Sequence, residues 1–202
     1  ITQNGEGDLV ITCERQIFEN RREPRMIYID TYISPLGDMT MAGSESGITG
    51  LWFDGQKYFG ANLPKQYEAE KLPIFEEAKK WLDLYFQGKE PDFTPHIAFS
   101  DTEFRMRVWE ILLTIPYGQT ITYGEIAARV AKEKGIPHMS AQAVGGAVGH
   151  NPISIIVPCH RLVGANGSLT GYAGGIDKKI ELLKLEKVDV SELVIPKKST
   201  AL

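Results

Sequence analysis

The segment TYGEIAARVAKEKGIPHMSAQAVGGAVGHNPISIIVPCHR, residues 122–161, determines the architecture predicted for the second half of the chain. Thr122 can cap a helix over residues 123–130, because Glu125 lies three positions later and completes a capping box. After a polar loop, Ser140 can cap another helix, residues 141–149, which is rich in alanine and glycine. Two short helices joined by a turn form the helix-turn-helix pattern, which is typical of DNA-binding proteins.

A cysteine follows these helices in a setting that indicates chemistry. The apolar run over residues 153–157 predicts a buried strand, and Pro158 should end it. Cys159 would then stand at the end of a rigid strand, where its thiol can face a cleft. His160 and Arg161 come next, and either can stabilise a thiolate, the nucleophilic form of cysteine. Without such neighbours, a cysteine is more often a small buried hydrophobic residue.

A histidine and a glutamate are candidates to activate this thiol. Adjacent side chains on a strand point to opposite sides, so His160 should reach Cys159 only through a bridging water. Glu186 ends the last predicted helix, residues 177–186, and can orient the histidine. Each residue also has a plainer interpretation, since His160 can be a structural hydrogen-bonding residue and Glu186 a solvated helix end.

The first half of the chain has a different character. Residues 27–33, 38–42 and 47–53 alternate between apolar and polar side chains and are separated by turn signals, which predicts a three-stranded meander. Residues 72–87 have helical spacing. Another helix, from Asp101 or Thr102 to about residue 114, is predicted at the start of the second half. The predicted fold class is therefore α+β.

Composition and charge set outer limits on the function. The chain has 202 residues, is 43% hydrophobic and carries a net charge of −4. Residues 1–95 hold 10 Lys and Arg against 16 Asp and Glu, whereas residues 96–202 hold 12 against 10 and all four histidines. A DNA partner should therefore contact the second half, with weak non-specific affinity. No apolar run is long enough to span a membrane, no secretory signal is visible, and two distant cysteines suit a cytoplasmic protein.

The segment Pro158-Cys159-His160-Arg161 resembles the active-site signature of the O6-alkylguanine-DNA alkyltransferases. The resemblance runs from about residue 26 to residue 186 and is strongest from Phe104 onward. Six further segments match in family order: Phe104-Arg105-Met106-Arg107-Val108-Trp109, Ile115-Pro116-Tyr117-Gly118, Thr122-Tyr123, Ala143-Val144-Gly145-Gly146-Ala147, Asn151-Pro152 and Gly171-Tyr172-Ala173-Gly174-Gly175.

Residues 1–25 are polar and show no sustained period, so we expect a poorly ordered extension there. For the rest of the chain, the resemblance implies an N-terminal ribonuclease-H-like α/β domain over residues 26–94 and a C-terminal winged helix-turn-helix domain for DNA binding and alkyl transfer over residues 95–190. A tail over residues 191–202 follows.

The resemblance also implies a catalytic set of five residues. Cys159 is the alkyl acceptor, His160 takes the thiol proton through a water, and Glu186 orients the histidine. Asn151 braces the turn before the active-site strand, and Tyr123 crowds a DNA phosphate and donates to the guanine ring. Read without the family, Asn151 is an ordinary turn residue and Tyr123 packs at a helix start.

A second set is implied for contact with the DNA and the base. Its members are Tyr123, Gln142, Ala143, Gly145, Arg161, Tyr172, Ala173 and Gly174. Gln142 departs from the family, which usually has arginine there, so we expect a neutral wedge, with either weaker DNA affinity or a different lesion preference. The small-sided helix 141–149 would fit the minor groove of double-stranded DNA, although it can equally be a packed core helix.

The implied activity is direct-reversal DNA repair. The O6-alkyl group of guanine, and as an open question the O4-alkyl group of thymine, moves to Cys159 after base flipping, once per molecule. No metal or cofactor is expected, since only Cys13 is available in the first half for a zinc site. We expect a monomer that acts in the cytoplasm. Two other classes stay open: a DNA-binding module that does not need Cys159, and a cysteine hydrolase that would turn over.

Overall fold

The computed structural model describes residues 2–3, 9–10 and 26–195 of the chain. Within the first stretch, strands β1 (Thr2–Gln3) and β2 (Leu9–Val10) pair in antiparallel fashion. The rest of the extension predicted over residues 1–25, and the tail from residue 196, lie outside the described residues. Among the described residues, no helix combines the length and the apolar character needed to cross a membrane.

The predicted meander is confirmed as an antiparallel sheet. It consists of β3 (Tyr28–Ser34), β4 (Gly37–Ser44) and β5 (Gly47–Phe53). A short fourth strand that the sequence did not predict, β6 (Glu68–Ala69), pairs in parallel with β3, and the strand order is β5-β4-β3-β6. On the free edge of β5, the Leu51 amide donates to the Pro152 carbonyl, so a segment of the second half continues the sheet.

Helix α1 (Pro73–Phe86) covers one face of this sheet, as the helical spacing predicted. Its first turn starts with proline, which suits that position because the proline lacks an amide that would need a partner. Its buried face, with Phe75, Leu82 and Tyr85, belongs to one hydrophobic core that also includes Trp109 of the second half. The domain boundary at residues 94 and 95 therefore stays a prediction.

The second half is mainly helical. Its elements are α2 (Glu103–Leu113), β7 (Ile121–Thr122), α3 (Tyr123–Lys134), α4 (Ala141–Gly149), β8 (Leu162–Val163) and α5 (Ile176–Leu185). The capping box of Thr122 and Glu125 is present, and the Ser140 hydroxyl caps α4. Helices α3 and α4 thus form the predicted helix-turn-helix, with a loop that is shorter than expected because α3 continues for one more turn.

The buried strand predicted over residues 153–157 is wrong. Only Ile153 bridges to β5, and the chain then turns, with Ile155 in the left-handed region at a φ of 69°. The Val157 amide donates to the Ile153 carbonyl at 3.1 Å, which closes the turn. Cys159 starts a single turn of 3₁₀ helix over Cys159–Arg161. An apolar run of this length satisfies a buried turn as well as a strand, because both remove its side chains from water.

Candidate active site

The amide of Asn151 holds the Cys159 segment in place. Its Nδ2 donates to the Val157 carbonyl at 2.9 Å and lies 3.1 Å from Cys159 Sγ. Its Oδ1 accepts from the Ile153 amide at 3.0 Å. One buried side chain therefore fixes both ends of the turn that precedes the cysteine and contacts the sulfur itself. The role that the resemblance implies for Asn151, bracing this turn for catalysis, stays a prediction.

The Cys159 thiol is buried, with 5% of the residue exposed. Burial raises its pKa, and the Asn151 hydrogen bond together with the positive charge of Lys179 opposes this only in part. The resting side chain is therefore a thiol that needs a base before it can attack. Lys179 is a site residue that the sequence analysis missed, because a lysine within an amphipathic helix is normally solvated.

Lys179 is fully buried on α5. Its Nζ donates to the Thr170 carbonyl at 3.0 Å, and burial lowers its pKa to about 8. A buried ammonium group near the sulfur favours the thiolate over the thiol. The charge that stabilises the nucleophile therefore comes from α5, and not from the residues that follow the cysteine.

His160 and Glu186, the two candidates to activate the thiol, form a buried pair. His160 Nε2 lies 2.7 Å from Glu186 Oε1, and neither side chain is exposed. His160 Nδ1 has no hydrogen-bond partner among the described residues. Burial lowers the pKa of His160, although Glu186 raises it in opposition, so the imidazole is neutral near pH 7. With its proton on Nε2 facing the carboxylate, the ring presents a basic Nδ1.

Glu186 is the most heavily hydrogen-bonded carboxylate of the site and is not a solvated helix end. Arg161 Nε donates to Oε2 at 2.8 Å and Nη2 to Oε1 at 3.0 Å. The Gly118 amide donates to Oε2 at 3.0 Å, and the Tyr85 hydroxyl donates to Oε1 at 2.8 Å. Burial alone would raise the pKa of Glu186, but the bonds from His160 and Arg161 outweigh it and hold the pKa at about 2.

The guanidinium of Arg161 is not presented for the DNA contact expected from the resemblance. It is buried, and its third nitrogen, Nη1, donates to the Ile115 carbonyl at 2.6 Å. All three guanidinium nitrogens thus donate to protein atoms. The geometry makes Arg161 a support for Glu186.

A cleft of about 210 Å³ is lined by Tyr123, the first residue of α3, and by Tyr172, and the charge of Cys159 acts on both tyrosines. Gly171, Ala173 and Gly175 of the loop and Gly145 of α4 also line it. The Tyr123 hydroxyl donates to the Thr170 carbonyl at 3.2 Å, and burial followed by the Cys159 charge raises its pKa to about 12. Burial and the same charge also raise the pKa of Tyr172. Both phenols therefore stay protonated close to the sulfur.

Four of the remaining predicted base-binding residues line this cleft or lie on α4, and Gly174 lies close to the Tyr172 ring. Gln142 and Ala143 are exposed on the first turn of α4, whereas Gly145 is buried and faces the cleft. Ala173 lines the cleft, and its carbonyl accepts from the Lys57 amide at 3.1 Å.

The N-terminal half supplies one wall that the sequence analysis did not foresee. Lys57 and Tyr58 line the same cleft. The Tyr58 ring stacks on His150, at the end of α4, with a centroid separation of 4.3 Å. Tyr58 has a φ of 60°, a conformation that a sequence pattern does not reveal for a residue other than glycine.

These elements define a buried cysteine with a neutral histidine base, placed beside a cleft and a helix-turn-helix. Two family models match the chain. The ribonuclease-like domain of 6-O-methylguanine DNA methyltransferase matches residues 27–99, and its DNA-binding domain matches residues 103–188.

Curated relatives and solved structures agree with these models. The chain is 46% identical over 162 residues to the methylated-DNA–protein-cysteine methyltransferase of Mycobacterium tuberculosis, covering 80% of this chain and 93% of the relative. It is 44% identical to that of Methanosarcina acetivorans, over 79% and 98% of the two chains. It is similar to the crystal structure of the M. tuberculosis OGT in complex with DNA, with a TM-score of 0.68 and 44% identity over 79% and 92% of the two chains.

The chain therefore belongs to the methylated-DNA–protein-cysteine methyltransferase family. The family resemblance and the fold class drawn from the sequence are confirmed.

Proposed function

We propose that the protein repairs DNA by transferring the O6-alkyl group of guanine to its own Cys159, once per molecule. The observation that carries this proposal is the pairing of a buried thiol with the neutral, Glu186-bound imidazole of His160. The relatives named for the same reaction, and the relative solved in complex with DNA, support it.

The first step is removal of the thiol proton. The proton on His160 Nε2 is committed to Glu186 at 2.7 Å, which leaves Nδ1 as the basic atom. A water bridging Cys159 and Nδ1 would pass the proton to the imidazole. Glu186 then balances the imidazolium charge, and Lys179 balances the thiolate. Because the pKa of Glu186 lies at about 2, the proton stays on the histidine and does not move to the carboxylate.

The second step is a displacement at the alkyl carbon. The thiolate of Cys159 forms a carbon–sulfur bond while the bond between that carbon and guanine O6 breaks. The departing guanine takes up a proton, and the Tyr123 hydroxyl at the cleft would donate a hydrogen bond to it in place of the Thr170 carbonyl. The product is a thioether, which no general base can return to a thiol, so each molecule acts once.

The target base lies inside the duplex and must leave the stack to reach a buried thiol. We propose that α4 approaches the minor groove, since Ala143 and the glycines of this helix allow close contact with a narrow groove. Gln142, exposed on the first turn of α4, would fill the space that the base vacates. Ala173, Gly174 and the other backbone groups of their loop would bind the base edge. We also propose that the protein acts as a monomer in the cytoplasm.

Single-turnover transfer from a duplex that carries one O6-methylguanine tests the proposal. Peptide mass analysis should find one added methyl group on the Cys159 peptide and at most one per protein. Cys159→Ala should bind the duplex without transfer, and Cys13→Ala, the matched control, should transfer normally. The same transfer assay with a duplex that carries O4-methylthymine tests whether this base is a second substrate. Binding by wild-type protein without methylation would overturn the proposal in favour of a DNA-binding module, and repeated turnover would favour a hydrolase.

A further inference from the structure

A tyrosine of the N-terminal half reaches the centre of the histidine–glutamate pair. Tyr85, on the last turn of α1, is fully buried. Its hydroxyl donates to Glu186 Oε1 at 2.8 Å, and the hydroxyl oxygen of Tyr85 lies 3.2 Å from His160 Nε2. The hydroxyl of Tyr85 therefore contacts both members of the pair, the carboxylate and the imidazole, and the three groups lie within hydrogen-bonding distance of one another.

The hydrogen-bonding capacity of the three groups fixes their roles. Glu186 is ionised and only accepts, so the Tyr85 hydroxyl must donate to it. The phenol oxygen then keeps a lone pair directed at His160, where it can share the Nε2 proton with Glu186. An imidazole with its proton on Nδ1 would instead place a lone pair against the carboxylate and the phenol oxygen. The phenol therefore favours the one tautomer in which Nδ1 is free to act as a base.

The ring of Tyr85 is held independently of its hydroxyl. It stacks on Trp81 with a centroid separation of 5.2 Å and meets Tyr117 edge-to-face at 6.1 Å. A phenylalanine can keep these contacts, which means that the hydroxyl can be removed while the packing stays in place. Packing explains why an aromatic ring occupies this position, but it does not explain two polar contacts within the pair.

We propose that Tyr85 is a positioning residue of the transfer reaction, whose hydroxyl holds the Glu186 carboxylate and fixes the Nε2-protonated tautomer of His160. The N-terminal half then contributes to the chemistry directly, besides supporting the C-terminal half. This inference rests on the proposed function, because it assumes that His160 removes the proton of Cys159.

The test compares Tyr85→Phe with Tyr117→Phe in single-turnover transfer from an O6-methylguanine duplex, between about pH 5.5 and about pH 9. Tyr117 is the matched control, since its hydroxyl donates to the Leu185 carbonyl and contacts neither His160 nor Glu186. The rate constant is measured per active molecule, with the active fraction taken from the amplitude, so a loss of folded protein does not mimic a slower reaction.

Tyr85→Phe should lower the rate constant about tenfold near neutral pH, the effect of losing one hydrogen bond to a buried charge. It should also move the acidic limb of the profile of rate constant against pH to higher pH, because a carboxylate with one donor fewer holds the imidazolium proton more tightly. Tyr117→Phe should change neither. Three results would overturn the inference. They are an unchanged rate constant for Tyr85→Phe, a rate constant lowered equally at every pH, and an equal shift of the pH profile in both variants. Failure of the proposed function would show differently, as absence of transfer in the wild type.

Discussion

The substitution Glu186→Gln tests the energetics of the buried carboxylate. Its pKa of about 2, against an ordinary value of 4.5, corresponds to about 3 kcal/mol of folding free energy at neutral pH. Removing one partner of a buried ion pair costs about 3–5 kcal/mol by a separate rule, because the other charge stays buried. Arg161 is that other charge here. We therefore expect Glu186→Gln to lower the free energy of unfolding by about 3–5 kcal/mol at pH 7.

The pH dependence follows from the sign of the shift. The pKa of Glu186 is depressed in the folded protein, so its stabilisation is complete above about pH 4.5 and is lost as the pH falls toward about 2. The difference in the free energy of unfolding between wild type and variant should shrink by about 2 kcal/mol when urea unfolding is repeated near pH 3.

The matched control is Glu181→Gln on the same helix. Glu181 pairs with Lys184 across one turn, and both side chains are 52% exposed. Its effect should stay below about 0.5 kcal/mol. A loss below about 1 kcal/mol for Glu186→Gln, or a gap that does not change with pH, would refute the idea that Glu186 is a strongly stabilised buried anion.

Two further substitutions test other parts of the site. Lys179→Met should raise the free energy of unfolding by about 3 kcal/mol at pH 7, because the lowered pKa of about 8 marks a buried charge that costs stability below that pH and ceases to cost it as the pH rises toward 10.5. The same variant should slow transfer, since the thiolate loses its cation, and a variant that is both destabilised and fully active would contradict this role. Gln142→Arg should tighten duplex binding about threefold to tenfold at low salt and steepen its salt dependence, because one phosphate contact is added. Anisotropy titrations at several salt concentrations measure this, and equal affinity together with equal transfer rate would show that the neutral wedge is irrelevant.

Local patterns predicted most of the helices and strands. The capping box at Thr122 and the alternation over β3 to β5 depend on neighbouring residues, and both are found where the sequence placed them. The turn at Ile155 could not be read, because an apolar run is compatible with any buried conformation and a left-handed isoleucine leaves no signal. The 3₁₀ turn at Cys159 was missed for the same reason.

The site could be predicted only as far as the family motif reached. Cys159, His160 and Glu186 stand out through that motif. Tyr85 and Lys179 do not, since a tyrosine and a lysine on amphipathic helices look like ordinary core and surface residues. Their roles depend on contacts between distant segments, which no local pattern contains. The DNA contact predicted for Arg161 took no account of the buried Glu186 carboxylate, to which the guanidinium donates.

The carboxylate of Glu186 gathers donors from remote parts of the chain. Tyr85 lies 101 residues away in sequence, Gly118 lies 68 away and Arg161 lies 25 away. Closing loops of such length is entropically costly and slow, and no stable substructure of a few neighbouring segments can hold all three donors. Glu186 also ends α5, where the helix dipole disfavours a negative charge. Glu186 therefore has all of its donors only when both halves have folded, so the arrangement that we propose for transfer exists only in the complete fold.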